Sequence, residues 1–213
     1  MLGKTHLTTG VAVSLLLVKP DTLPMLIVGG AAAAIGSVIS DIDSDYSDAR
    51  QKADMVLGFC LSLVVSIIAA DAIWHFGIYE SLRSVTTLWR MILGAGMFIV
   101  ICAYGRSKPH RTFMHSVTAL ILLTANMEIF APIMVAYFIP AFWTHLILDL
   151  LNRRRVRLFW PLKKGYSLRL CSSDGFINHL LFSAGCVGCA VAVLTSPAIT
   201  GIIETATAMS GVK

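Results

Sequence analysis

The chain has 213 residues, of which 56% are hydrophobic and only 14% charged, with a net charge of +5 and a mean hydropathy of +0.77. Soluble domains carry about 25% charged residues, so this balance excludes a water-soluble enzyme or a nucleic-acid-binding module and places the chain in lipid. Five cysteines, four of them inside apolar runs, form no disulfide framework; Cys171 is read as a free thiol, and Cys186-Val-Gly-Cys189 as helix packing in a membrane segment.

In chain order, apolar segments predict helices at about 6–18, 23–40, 55–77, 88–104, 115–131, 133–151 and 176–195, with a short last stretch at 198–209. The segment Met1-Leu-Gly-Lys-Thr-His6 has no clear small-x-small cleavage site and is expected to stay in the mature chain. Lys19-Pro20-Asp21 predicts a tight hairpin between the first two helices, and Ala131-Pro132 a similar joint. Gly29, Gly30, Ala31 to Ala34 and Gly36 give the second helix a small-residue face. The expected fold is all-α, a polytopic transmembrane bundle of about six to eight helices, with residues 1–213 forming a single integral membrane domain.

Counting crossings from the N-terminus puts loops 41–54, 105–114 and 152–175 on one side together with Lys4. That side carries thirteen Lys and Arg residues, and the other carries Lys19, Arg83 and Arg90. Basic loops stay in the cytoplasm, so the rich side is expected to be cytoplasmic. The tract 152–169 also suits anionic headgroups, at ~1 kcal/mol per Lys or Arg near such a surface.

Crossings also bring four polar pieces to that same side: His6, Asp41-Ile-Asp43, His110-Arg111-Thr-Phe-Met-His115-Ser116, and His145-Leu-Ile-Leu-Asp149. Polar residues at membrane depth are costly and default to function. His145 and Asp149, four apart on a helix, share a face. The spacing of Asp41 and Asp43 lets one carboxylate face the bundle while the other bridges or orients a neighbour. His110 follows a proline and belongs to the loop, while His115 and Ser116 open the next helix. Imidazole and carboxylate are the ligands of catalytic zinc and also suit manganese or iron. Asp71 and His75 have the same spacing but fall on the opposite side, and are read as interfacial residues beside Trp74. Asp174 is a candidate helix N-cap, and Asn152 and Asn178 are candidates for orienting a substrate.

At these residues the chain resembles the YdjM-like family of membrane-bound metal-dependent hydrolases, over about residues 1–182. The match runs through His6, Asp41 and Asp43, then His110, Arg111, His115 and Ser116, then His145 and Asp149, and a hydrophobic-Pro stretch at Leu158-Phe-Trp-Pro161. Ser40, Ser44 and Thr112 stand where that family often has Pro, His and Gly. The resemblance implies a multi-pass protein of the bacterial inner membrane and a hydrolytic metal site.

The expected chemistry is attack of metal-activated water on an ester or phosphoester of a lipid-derived substrate. One or more divalent ions, Zn²⁺ first and Mn²⁺ or Fe²⁺ next, are expected at His6, Asp41, Asp43, His115, His145 and Asp149. His110 is the expected general acid or base, and Arg111 the group that receives developing negative charge. The lipid bilayer is the expected partner. A divalent-metal transporter and a non-catalytic scaffold tied by a metal are the alternatives; the first wants ligands near mid-membrane, the second a closed site.

Overall fold

In a computed structural model the described residues are 2–43, 58, 62, 69, 71–75, 77, 88–172 and 175–209. Most of the predicted helix 55–77, the acidic loop from Ser44 onward and the candidate cap Asp174 lie outside them.

The described residues are helical and form no strand. Helix α1 spans Gly3–Val18 and α2 spans Leu23–Val38, followed by a single 3-10 segment, Ile39–Asp43. Next come α3 (Leu88–Arg106), α4 (Val117–Phe130), α5 (Pro132–Leu151), α6 (Phe176–Leu194) and α7 (Pro197–Met209). The segments containing α2, α3, α5 and α6 are long and apolar enough to cross a membrane. Large apolar side chains of α3 (Trp89, Ile92, Leu93, Ile99) and α6 (Leu180, Val187, Leu194) face outward, as lipid-facing surfaces require.

Local chemistry explains the boundaries. Lys19 ends α1 in the left-handed conformation at φ 51°, and its N–H bonds the Leu15 carbonyl. Thr22 then caps α2, its hydroxyl accepting from Met25 N–H at 3.4 Å, and Pro24 sits in the first turn where no N–H is needed. The hairpin expected at Lys19-Pro20-Asp21 is therefore present. Two boundaries differ from the sequence reading. α1 begins at Gly3, so His6 lies within its first turns. α4 begins at Val117, because the Ser116 side chain takes the N-cap position and accepts from Ala119 N–H at 3.1 Å. His115 thus belongs to the preceding loop.

The central helix is α5, which packs against α1, α2 and α4, while α1 also packs on α6 and α3 on α4. Small residues set the depth of this packing. A Cβ on Gly36 would lie 2.8 Å from the Phe138 carbonyl oxygen, and one on Gly10 would collide with the Ser37 side chain and come 3.3 Å from the Ala141 carbonyl oxygen. Three helices therefore meet at Gly10, Ser37 and Ala141. One helical turn further toward the same end of the bundle stand His6, Asp41 and His145, each four residues from its crossing residue.

Candidate metal centre

His6, Asp43, His115, His145 and Asp149 are buried. Asp41 and His110 remain 25% and 26% exposed and form the open edge of the cluster. Four elements supply it: α1 gives His6, the 3-10 segment gives Asp41 and Asp43, the loop before α4 gives His110, Arg111 and His115, and α5 gives His145 and Asp149. The loop is fixed from beneath, because Phe113 and Met114 enter the apolar core, Ser116 donates to the Phe113 carbonyl at 2.6 Å, and Val117 N–H bonds the Leu158 carbonyl at 2.8 Å. All eight residues singled out in the sequence therefore come together at one end of the bundle.

Four atoms approach one another in pairs at the heart of the cluster. His115 Nε2 is 3.4 Å from Asp41 Oδ1 and 3.2 Å from Asp149 Oδ2. His145 Nε2 is 3.7 Å from Asp41 Oδ1 and 4.0 Å from Asp149 Oδ2. Ligands held at ~2.1 Å around a tetrahedral ion lie about 3.4 Å from one another, so the spacing of His115, His145 and Asp149 is of the size that a shared ion needs. Both ring nitrogens of His115, Nε2 of His145 and Oδ2 of Asp43 are buried and make no well-aligned hydrogen bond among the described residues. Leaving such atoms unsatisfied costs ~1–3 kcal/mol each, a cost that coordination removes. His115, His145 and Asp149 form one group with ligand-like spacing, and Asp41, His110 and His115 form a second.

The neighbours of this quartet orient it. The Nδ1 of His145 lies 2.6 Å from the Ser37 carbonyl. A carbonyl only accepts, so Nδ1 carries the hydrogen and Nε2 presents its lone pair to the cluster. His6 stacks on the His145 ring with centroids 4.0 Å apart and places Nε2 3.5 Å from Asp149 Oδ1. Asp43 stands on the other side of His115, with Oδ2 3.4 Å from Nδ1, and its Oδ1 is 2.7 Å from His110 Nδ1. The two carboxylates of the Asp-Ile-Asp piece thus divide: Asp41 faces His145, and Asp43 backs His115 and His110. Burial alone would depress the His115 imidazole, but the carboxylates of Asp43, Asp149 and Asp41 outweigh it and hold its protonated form well above the ordinary histidine range.

Arg111 adopts the left-handed conformation at φ 65°. One end nitrogen lies 3.3 Å from Asp149 Oδ1 and the other donates to the Arg154 carbonyl at 3.0 Å. Ser37 and Arg154 act through backbone carbonyls and leave no signal in a sequence. Asn178 turns out to hold the start of α1: its Oδ1 accepts from Thr5 Oγ1 at 3.0 Å and from Leu2 N–H at 3.3 Å. Asn152 caps the end of α5, its N–H bonding the Asp149 carbonyl at 3.2 Å. The Asp71–His75 pair is in neither ligand group.

A family model described as YdjM inner membrane protein matches residues 1–210. No curated protein and no solved structure matches the chain significantly.

Proposed function

The chain belongs to the YdjM inner membrane protein family, and we propose that it is a membrane-embedded metal-dependent hydrolase acting on an ester or phosphoester bond of a lipid-derived substrate. The observation that carries this reading is a buried trio of ligand-like spacing, His115, His145 and Asp149, which shares His115 with a second trio whose Asp41 and His110 form an exposed edge. The donor set suits a divalent ion, Zn²⁺ before Mn²⁺ or Fe²⁺. His115, His145, Asp41 and Asp149 would hold it, with His6 against Asp149 as a further ligand or support. Such an ion supplies Lewis acidity that makes water a nucleophile near neutral pH.

The chain's own groups do the rest. His110 lies at the open edge with Nδ1 against the Asp43 carboxylate, which leaves Nε2 as the basic nitrogen to take a proton from water and return it to the leaving oxygen. Arg111 stands beside Asp149, where its guanidinium both orients a ligand carboxylate and meets negative charge that grows on a phosphoryl or acyl oxygen. The thirteen basic residues on one side by the crossing count favour a cytoplasmic orientation for this end. The exposed edge argues against a closed structural site. The position of the ligands at helix ends argues against a transport site at mid-membrane.

Purified protein incubated with a phospholipid panel, with and without a chelator, tests the reading through released headgroup and fatty acid. Metal-dependent release from at least one lipid class is expected. No product from any lipid, with the metal present at stoichiometric amounts, would overturn it.

A further inference from the structure

The segment between α5 and α6 folds back over the end of the bundle that holds the cluster. Val156 and Tyr166 pair as an antiparallel bridge with two N–H···O bonds of 2.8 Å. Leu168 N–H bonds the Leu150 carbonyl at 2.8 Å, Leu170 N–H bonds the Leu151 carbonyl at 2.9 Å, and Ser167 Oγ donates to the Asn152 carbonyl at 2.5 Å. This basic tract is thus a built surface rather than a loose tail. It encloses an open cavity of ≈ 660 Å³ lined by Arg155, Lys163, Lys164, Tyr166, Ser167 and Arg169.

Four cations share this cup, and among the described residues no carboxylate pairs with Arg155, Lys163, Lys164 or Arg169. Like charges around one cavity repel unless an anion joins them. The Tyr166 hydroxyl adds a hydrogen-bond donor to the same wall. Close fit at Gly165, where a Cβ would lie 3.0 Å from the Arg155 Cβ, brings the two edges of the cup together. Interleaved with the bases stand Phe159, Leu162, Leu168 and Leu170, each between 51% and 65% exposed. A nucleic acid or a free anion has no use for that apolar rim, whereas acyl chains do. The carbonyl of Arg154, the residue before the cup's Arg155, accepts from the Arg111 that pairs with Asp149, so the cup is wired to the metal-ligand cluster by one residue.

We propose that this cup is a binding site for the phosphate-bearing headgroup of an anionic phospholipid, separate from the His/Asp cluster. It does not depend on turnover, so it stands or falls independently of the hydrolase reading.

Native mass spectrometry of the purified full chain, in the presence of a chelator to silence any metal-dependent reaction, provides the test. Titration with phosphatidylglycerol should give one tightly held lipid, while phosphatidylcholine should bind far more weakly. Lys163→Gln/Lys164→Gln should weaken phosphatidylglycerol about 30-fold, from ~1 kcal/mol per charge near an anionic headgroup. Lys163→Arg/Lys164→Arg should keep it, and Lys19→Gln/Arg90→Gln should leave it unchanged. Thermal melting of each variant separates lost binding from lost folding. Inorganic phosphate at high concentration should compete with the lipid. Equal affinity for phosphatidylcholine, full retention in the Lys→Gln double variant, or binding of inorganic phosphate without phosphatidylglycerol would overturn the proposal.

Discussion

The chain carries two His/Asp pairs with a spacing of four, and they end in different surroundings. His145 and Asp149 both lie inside α5, 0% and 2% exposed, and both face the cluster. Asp71 and His75 begin with the same spacing, but the helix stops at Trp74 and His75 leaves it at φ 52°. The shared helical face that the spacing promises is lost there, and His75 is exposed. Spacing alone therefore does not make a ligand pair. The α5 pair gains its neighbours from the crossing at Gly10, Ser37 and Ala141, which sets α1 and α2 against α5 one turn away.

The sharpest way to break this comparison is to remove each pair in turn. His145→Ala or Asp149→Ala should abolish stoichiometric metal in the purified protein, measured by elemental analysis, while His75→Ala should leave it intact. Equal loss from His75→Ala would mean that the wrong pair was chosen.

Arg111 comes next, because it touches Asp149 and has no role at Asp71. Arg111→Lys keeps the charge but loses the planar fork that reaches Asp149 and Arg154 together. Turnover on the responsive lipid should fall ~10²–10³-fold, with the fold retained by circular dichroism. Unchanged turnover would remove Arg111 from the mechanism.

Gly36→Ala probes the crossing rather than the ligands. The added methyl meets the Phe138 carbonyl, and overpacking of this kind costs ~1–3 kcal/mol. Moving α2 off α5 also draws the Ser37 carbonyl from His145, so metal affinity should fall although no ligand is changed. Gly30→Ala, with open space at its Cβ position, is the matched control, read by thermal melting and metal competition.

The smallest effect is with pH. In the metal-free protein His115 holds its proton well above the ordinary range, and an ion must displace that proton to bind. Metal affinity should rise about tenfold per pH unit below the raised value and flatten above it. The sign for the metal-free fold is opposite. Protonated His115 stabilises it fully below the unfolded value of about 6.5, and that contribution is lost as pH rises through the folded value. Chelator competition and melting curves across pH measure the two trends, and His115→Gln should remove the pH trend in the melting of the metal-free protein.

Much of this was legible in the residues themselves. Apolar run lengths set the helices, because a span must bury its backbone polar groups in itself. Lys19-Pro20-Asp21 and Ala131-Pro132 marked the joints, and counting crossings was enough to bring His6, Asp41, Asp43, His110, His115, His145 and Asp149 to one end. The start of α4 was misread by two residues, because a Ser cap and a His at a helix start look alike until the Ser116 hydroxyl is seen to accept from Ala119 N–H.

Tertiary structure alone decided the division of labour. Asp41 and Asp43 are chemically identical, and only the direction in which the 3-10 segment leaves α2 puts one against His145 and the other behind His115. The lone pair of His145 is aimed by a backbone carbonyl, a group every residue possesses, so no side chain at position 37 could announce it. His6 and His145 meet because two helices cross at a glycine, a contact between positions 139 residues apart. Composition and periodicity act within a helix, whereas a ligand set is made where several helices cross, and that depends on how closely their small residues allow them to approach.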